Sequence, residues 1–476
     1  MKRWMNVSIV IMTTIPLLAS CLGGADGEGS KPSVKQLVKP LEADEKASLK
    51  MYGWADERNF IYNYGSSYLV EYPNIELSFT IKPNGQVEPG TDPYERQFKD
   101  IEEQKPDIFV LAQSELPRYA EKGLLYDLDP LIKQDKFDIE NIHAGAVEAI
   151  REKSGGKLYG LSPTFYSSAL FYNKELFDKF KVPYPKDQMT WDELFQLAKK
   201  FPTTGGKDER VYGFSAGNTF SFVQQLANIH GVSMIDPDGK KLTANSDAYK
   251  RLWNMTIDAS KAGYVFTSTT QERMVELSTP TYRSYVGPFA SGQAAMSIEG
   301  NATIRTMDML KGSNLKPFEW GMTTVPVDPQ TPNESPYYGV GSIFAINAKS
   351  PNARAAWQLL KYWNSEQYAA YYQKTKSQSL GSSMLLSRIS YNKAPAGKSL
   401  EPFYTLKPSK RDYYSGLLKA PVSFANAFSP IQTEETKAIT EGSKTVEEAL
   451  RSLQERGQKE LDRAWAEEEA KKTQAK

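Results

Sequence analysis

GGKLYGLSPTFYSSALFYNKELFDKFKVPYPKDQMTWDELFQLAKK, residues 155–200, decides the fold. Gly155-Gly156 is a turn between polar flanks. Leu158 to Leu161 is a short apolar strand containing Gly160, and Ser168 to Tyr172 is a second, aromatic-rich run suited to a buried strand. Asn173-Lys174-Glu175 opens a short helix whose apolar positions are Leu176, Phe177 and Phe180. After the Val182-Pro183-Tyr184-Pro185 turn, Thr190 and Glu193 have capping-box spacing. Trp191, Leu194, Phe195, Ala198 and Phe201 then recur on one helical face. The stretch is α/β core and holds no catalytic chemistry.

Three motifs in this stretch carry a resemblance. They are Gly156, Lys157, Tyr159, Gly160 and Pro163; then Tyr172, Asn173, Lys174, Leu176 and Phe177; then Pro185, Thr190, Trp191, Glu193 and Leu194. In this order and spacing they look like the family 1 extracellular solute-binding proteins, the ligand-capturing subunits of bacterial ABC importers.

Composition limits the alternatives. The chain has 476 residues, 24% charged and 12% aromatic, with net charge +1, two histidines and one cysteine. The length suits two or three domains, and the scattered charge gives no sign of a nucleic-acid partner. His143, His230 and one thiol are too few for a multi-ligand zinc site. No G-x-S-x-G elbow and no G-x-x-x-x-G-K-[ST] phosphate loop occurs.

The N-terminus carries the most specific local signal. Lys2 and Arg3 precede an apolar run from Val7 to Leu18, of secretory length. Leu18-Ala19-Ser20-Cys21 looks like a bacterial lipobox. By that resemblance residues 1–20 are a signal peptide, Cys21 carries the lipid, and two acyl chains would hold the chain firmly at a membrane. Residues 21–46, rich in Gly, Ser, Lys and Pro, read as a flexible tether.

The rest alternates strands and helices. Ser48–Trp54 and Ile75–Ile81 read as strands, the second with alternating apolar positions. Glu95–Glu103 is helical, and Asp107–Leu111 is a continuous apolar run typical of a parallel strand buried on both faces. Asp127 and Asp129 read as capping and turn residues before Pro130. Val211–Ser215 is a strand, and Phe220–Ile229 and Tyr249–Ala262 are helices, with Trp253 a core residue. Asp236-Pro237-Asp238-Gly239 is a turn. Ser297–Gly300 leads through Asn301 into a helix, and Trp320–Pro326 and Tyr337–Ile346 contain strands. Ser350 with Pro351 at the first helical position starts a helix. Thr445 and Glu448 repeat the capping-box spacing, and the tail from Ala466 is expected to fray. Asn301-Ala302 departs from the Gly-Trp or Gly-x-Trp of many family members, so a maltose-type site does not transfer directly.

The resemblance implies an α/β, two-lobed, periplasmic-binding-protein-like fold of type II. The first lobe would comprise residues 47–170 and 343–405, the second 171–342 and 406–470. Crossings are expected near Ala169–Tyr172 and Val340–Phe344, with a return near Leu400–Asp412. It implies capture of a small-molecule ligand, an oligosaccharide, by hinge closure, and delivery to an ABC permease by a lipid-anchored monomer on the extracytoplasmic face. No catalytic residue, metal or cofactor is implied.

Ligands in open α/β sheets bind beyond the carboxyl ends of strands. That rule selects Trp54, Asp56, Glu57, Gln113, Glu115, Phe165, Tyr166, Asn218, Phe220, Glu299, Asn301, Tyr337 and Tyr338. Aromatic faces can cover sugar C–H faces while carboxylates and amides take hydroxyls. Two alternatives stay open. One is the same fold with a non-sugar solute, including iron held by Tyr337-Tyr338, or a sensor role. The other is a secreted glycosidase using two of Asp56, Glu57, Glu115 and Glu299.

Overall fold

Alternation at Ile75, Leu77, Phe79 and Ile81 gives an extended segment two unlike faces, and a neighbouring strand must pair with it before either can be buried. The computed structural model describes residues 45–54, 56–83, 93–205, 210–268, 275–279, 282–375, 384–411 and 415–474. The Cys21 lipidation site, the leader and tether residues up to 44, and Asp412 lie outside them. In chain order the strands are β1 (Ala47–Gly53), β2 (Ile75–Ile81), β3 (Ile108–Leu111), β4 (Thr164–Tyr166), β5 (Ser168–Asn173), β6 (Phe214–Asn218), β7 (Val265–Ser268) and β8 (Val275–Thr279). They continue with β9 (Tyr282–Val286), β10 (Met296–Gly300), β11 (Trp320–Thr324), β12 (Glu334–Ser335), β13 (Gly339–Val340), β14 (Ile343–Ile346), β15 (Leu385–Leu386) and β16 (Lys407–Pro408).

Two sheets organise two α/β lobes. The first has the order β14-β3-β1-β2. β1 lies parallel to β2 and β3, and β14 runs antiparallel to β3. Every residue of β3 is buried, as its unbroken apolar sequence requires. The second sheet has the order β11-β5-β10-β6-β7, with β5 antiparallel to both β10 and β11. Between them β4 pairs with β13 and β15 in a three-stranded sheet.

Two hydrophobic clusters form, and the one centred on the first sheet also takes in Phe171, Phe289 and Trp320 from beside the second. In the first, Phe60, Phe344 and Trp363 meet edge-on or tilted, with Phe344 and Trp363 centroids 4.3 Å apart. In the second, Trp191, Phe214 and Phe222 pack together, and Trp253 is buried in the same core. The capping box forms: Thr190 Oγ1 accepts from the Glu193 backbone N–H while Glu193 accepts from that of Thr190. A second one forms at Thr445 and Glu448. Asp127 and Asp129 take the local roles expected of them. Asp127 accepts from the Asp129 backbone, and Asp129 starts a helix, paired with Arg151.

The structure departs from the sequence reading at several boundaries. Leu158–Leu161 forms no strand, and only Leu161 bridges to Phe344. Gly160 lies so near β14 that a Cβ there would sit 2.6 Å from the Ile343 side chain and 2.8 Å from the Phe344 carbonyl. The strand expected at Val211–Ser215 begins at Phe214, with Tyr212 bridging to Ala294. The helix expected from Ser350 begins at Ala353, because the Ser350 hydroxyl donates to Asp107 and accepts from the Asn352 backbone. The tail does not fray at Ala466: the last helix runs Val446–Gln474, with Arg463 bridging Glu460 and Glu467 one turn on either side. Among the described residues no helix is long and apolar enough to cross a membrane.

Candidate functional site

The carboxyl ends of β1 and β3 bring Trp54 and Glu115 together. Glu115 is buried, and its Oε1 lies 2.8 Å from the Lys82 ammonium, itself 4% exposed. Its Oε2 accepts from the Ala112 backbone at 2.7 Å and from the Trp54 indole at 3.3 Å. The carboxylate expected to meet ligand is therefore committed to protein partners. Burial pulls the Lys82 pKa down, and Glu115 opposes that shift. Trp54 remains 47% exposed, so this cluster fixes an indole that can still offer a face. Asp56 caps the helix Glu57–Phe60, accepting from the Asn59 backbone at 2.9 Å. That hydrogen bond holds its pKa below the ordinary carboxylate value. Glu57 is exposed, and half-buried Gln113 donates to the Ala149 carbonyl at 3.2 Å.

The three-stranded sheet separates two neighbouring aromatics. Phe165 is fully buried, stacked on Tyr338 at 5.3 Å and near His143 at 5.0 Å. Tyr166, the next residue on β4, points to the other face and is 48% exposed. Its ring lies over Gly339, its β13 partner, where a Cβ would come within 2.9 Å of Cε1 and nearer still to the phenolic carbon and oxygen. Phe165 and Tyr338 are thus core and Tyr166 is surface. Among the described residues, neither the Tyr338 hydroxyl nor His143 Nε2, both buried, finds a hydrogen-bond partner, and burial lowers the His143 pKa.

Asn218 caps the helix Thr219–Ile229 and accepts from the Ser221 backbone at 3.0 Å. Phe220 lies 6.2 Å from Trp253 and lines a cavity of about 360 Å³ with Gln224, Gln225 and Phe424. The Tyr337 hydroxyl donates to Gln225 Oε1 at 3.0 Å. Burial raises the pKa of both Tyr337 and Tyr338, away from the phenolate that iron capture would need. Among the described residues, no three His, Cys, Asp or Glu side chains are grouped to hold a metal.

Glu299 and Asn301 sit at the end of β10. Glu299 accepts from the Ser297 hydroxyl at 2.7 Å and the Thr303 hydroxyl at 3.3 Å. It forms no ion pair among the described residues, and burial raises its pKa. Asn301 lines a cavity of about 490 Å³ between the helix that follows β10 and the helix Glu366–Thr375. From the second lobe come Asn301 and Arg305, on the helix that follows β10. Opposite stand Tyr372 and Gln373, on the helix Glu366–Thr375, with Met384 and Lys393 beyond it. That helix packs on the first lobe, where Tyr371 meets Ser66 at 3.3 Å.

Of the thirteen residues selected from sequence, Asn301 alone lines this cavity. Arg305, Tyr372, Gln373, Met384 and Lys393 were not selected. Arg305 lies one helical turn after Asn301, so extending the strand-end rule by a turn would have found it. The others follow the long excursion after β14, where no motif points to a site.

A model of the bacterial extracellular solute-binding protein family matches residues 40–370. A maltotriose-binding protein of Pyrococcus abyssi is 24% identical over 315 residues, 65% of this chain and 60% of its own length. A binding protein of Brucella abortus is 23% identical over 299 residues, 61% of this chain and 65% of its own. The chain thus spans less than two thirds of the curated relatives it matches. Among solved structures, the sugar-binding protein MalE of Xanthomonas citri aligns with a TM-score of 0.58 at 19% identity, covering 88% of this chain and 99% of that one. An ABC substrate-binding protein of Listeria monocytogenes, solved with cycloalternan, aligns with a TM-score of 0.52 at 20% identity, covering 88% and 100%. At these identities the likeness shows the two-lobed solute-binding fold.

Proposed function

The chain belongs to the bacterial extracellular solute-binding protein family, and from that premise we propose that it captures a carbohydrate, an oligosaccharide, between its lobes and delivers it to an ABC permease. The observation that carries this reading is the cavity of about 490 Å³ walled by both lobes. A ligand held by one wall gains contacts from the other, so binding favours closure. Within the cavity Asn301 supplies an amide; exposed Trp54 and Tyr166 and the Glu299 carboxylate lie outside its lining and would reach the ligand only on closure. The hinge in this reading is the sheet of β4, β13 and β15, with the lobes divided near residues 170, 343 and 405. The relatives' names support the sugar: one binds maltotriose, and one was solved with cycloalternan. The lipobox at Cys21 supports a lipid anchor on the extracytoplasmic face.

The glycosidase alternative loses ground, because Asp56 is spent on a helix cap and Glu115 on Lys82. Thermal unfolding of a form starting at residue 45, run against mono- and oligosaccharides with product analysis, tests the proposal. A ligand at a hundred times its dissociation constant adds about 2.7 kcal/mol. A clear shift with an oligosaccharide that is recovered intact supports the reading. Consumption of the sugar, or shifts only with non-sugar solutes, overturns it.

A further inference from the structure

A second cavity, of about 390 Å³, opens beside β7, the last strand of the second sheet among the described residues. It shares no lining residue with the cavity that Asn301 lines. Arg210 and Thr219 line it from before and after β6, and Thr267 from β7. Ser260 and Lys261 come from the last turn of the helix Asp247–Ala262, and Glu441 from the end of the helix Val422–Glu441. Two of these polar groups are left over. Among the described residues, Arg210 Nε and the Thr219 hydroxyl are buried and meet no hydrogen-bond partner, and Thr219 is 0% exposed. A buried donor without an acceptor is costly. The guanidinium is nevertheless held in place. It stands 5.4 Å from the Tyr212 ring centroid, and its Nη2 fills the space that a Cβ at Gly263 would need. Gly263 ends the helix Asp247–Ala262 in the left-handed conformation, and a cation is favoured at a helix C-terminus. Lys261 is exposed and forms no ion pair among the described residues. Glu441 is the one carboxylate in the described lining. It lies 3.7 Å from the Lys437 ammonium outside the lining, and that pair adds no net charge. Arg210 and Lys261 therefore leave the cavity two positive charges in excess.

We propose that this cavity binds a phosphate monoester, with Arg210 taking two of its oxygens, Thr219 donating to a third and Lys261 supplying the second positive charge. The donor set lacks an acceptor, and a phosphate monoester is acceptor-only, with three oxygens and nearly two negative charges at pH 7. A guanidinium meets such a group through two parallel hydrogen bonds, and an ammonium adds a point charge. Because the Arg210 fork is positioned beforehand, little of its freedom is lost on binding. Thr267 donates to the Ser260 hydroxyl at 3.1 Å, which leaves the Ser260 proton for the ligand. Ile257 and Val265 offer apolar surface to the organic remainder. A carboxylate would leave one of the two cations unmatched. The site lies apart from the proposed sugar cleft and needs no closure, so it stands or falls separately from the carbohydrate reading.

Calorimetric titration of the form starting at residue 45 with phenyl phosphate, and with benzoate as its carboxylate counterpart, tests this. Phenyl phosphate should bind at one site, at least about tenfold more tightly than benzoate, and more weakly as salt is added. Its affinity should fall about tenfold between about pH 8 and about pH 5, as the phosphate regains its second proton with a pKa of about 6. Arg210→Gln should weaken it at least about tenfold. Lys261→Gln, at an exposed position that leaves folding intact, should weaken it about threefold or more. Sedimentation with vesicles containing phosphatidic acid offers the same group on a lipid. Phenyl phosphate binding names a soluble ligand, and vesicle binding alone, lost in Arg210→Gln, names a lipid headgroup. Benzoate bound as tightly as phenyl phosphate, parent affinity in Arg210→Gln and Lys261→Gln, or binding of neither phenyl phosphate nor vesicles overturns the proposal. Loss of phenyl phosphate binding in the presence of a saturating sugar would put the phosphate in the cleft and also overturns it. Phosphate binding as described with no sugar bound at all overturns the carbohydrate reading alone.

Discussion

Replacing Glu115 by glutamine removes the counter-charge of a buried lysine. The Lys82 ammonium lies 2.8 Å from Glu115 Oε1 and over the rings of Trp54 and Tyr119, at 5.4 and 5.3 Å. Without the carboxylate, Lys82 must stay charged and unpaired or give up its proton. Breaking one partner of a buried pair costs about 3–5 kcal/mol. Deprotonation sets a ceiling: taking a lysine of ordinary pKa near 10.4 to neutral at pH 7 costs roughly 3.4 units at about 1.4 kcal/mol each, or about 4.7 kcal/mol. The expected loss is therefore about 3–5 kcal/mol, a large share of the 5–15 kcal/mol that holds a folded protein. Urea unfolding at pH 7 reads it. The loss should shrink as pH rises toward 10. A depressed folded-state pKa means the unfolded chain binds more protons, so stability increases with pH. Lys82→Met combined with Glu115→Gln should recover most of the loss. A Glu115→Gln variant within about 1 kcal/mol of the parent, or no rescue in the double variant, would refute the structural role given to this carboxylate.

Gly339→Ala should push the Tyr166 ring off β13, lowering sugar affinity while changing urea stability by about 1 kcal/mol, the scale of an off-rotamer side chain; unchanged affinity would remove Tyr166 from the site. Glu299→Gln should raise stability at pH 7 and weaken the ligand. The stability gain should vanish below about pH 4, where the native carboxyl is protonated in both states, since a raised folded pKa makes stability fall as pH rises. Equal stability of Glu299→Gln and parent across that range would contradict the burial of this group. The buried His143 ring resists protonation, so the parent should lose stability as pH falls below the ordinary histidine value of about 6.5. His143→Phe should flatten that part of the unfolding profile, and an identical slope in both proteins would assign it elsewhere.

Local patterns carried most of the fold. The alternation in β2, the unbroken apolar β3 and the two capping boxes each encode their own conformation within a few residues. Errors arose where a distant partner took over. Gly160 reads as a strand residue, yet it serves to let the backbone approach β14. Ser350 reads as a helix cap, but Asp107, far away in sequence, claims its hydroxyl. The tail reads as polar and loose, but its charges fall one helical turn apart and support each other. The site was less legible for the same reason. Of the residues it selected, the strand-end rule reached Asn301 in the cavity lining. It could not see that Glu115 belongs to Lys82, or that Phe165 and Tyr338 turn inward while Tyr166 turns out. Lys393 and Arg305 become neighbours of one cavity only through the packing of two lobes.

The central claim is that the lobes close on a carbohydrate. Small-angle X-ray scattering of the form starting at residue 45, with and without a saturating sugar taken from the unfolding screen, tests it most directly. The account predicts a smaller radius of gyration in the bound state. Saturation by a tightly bound sugar with unchanged scattering would contradict capture by closure.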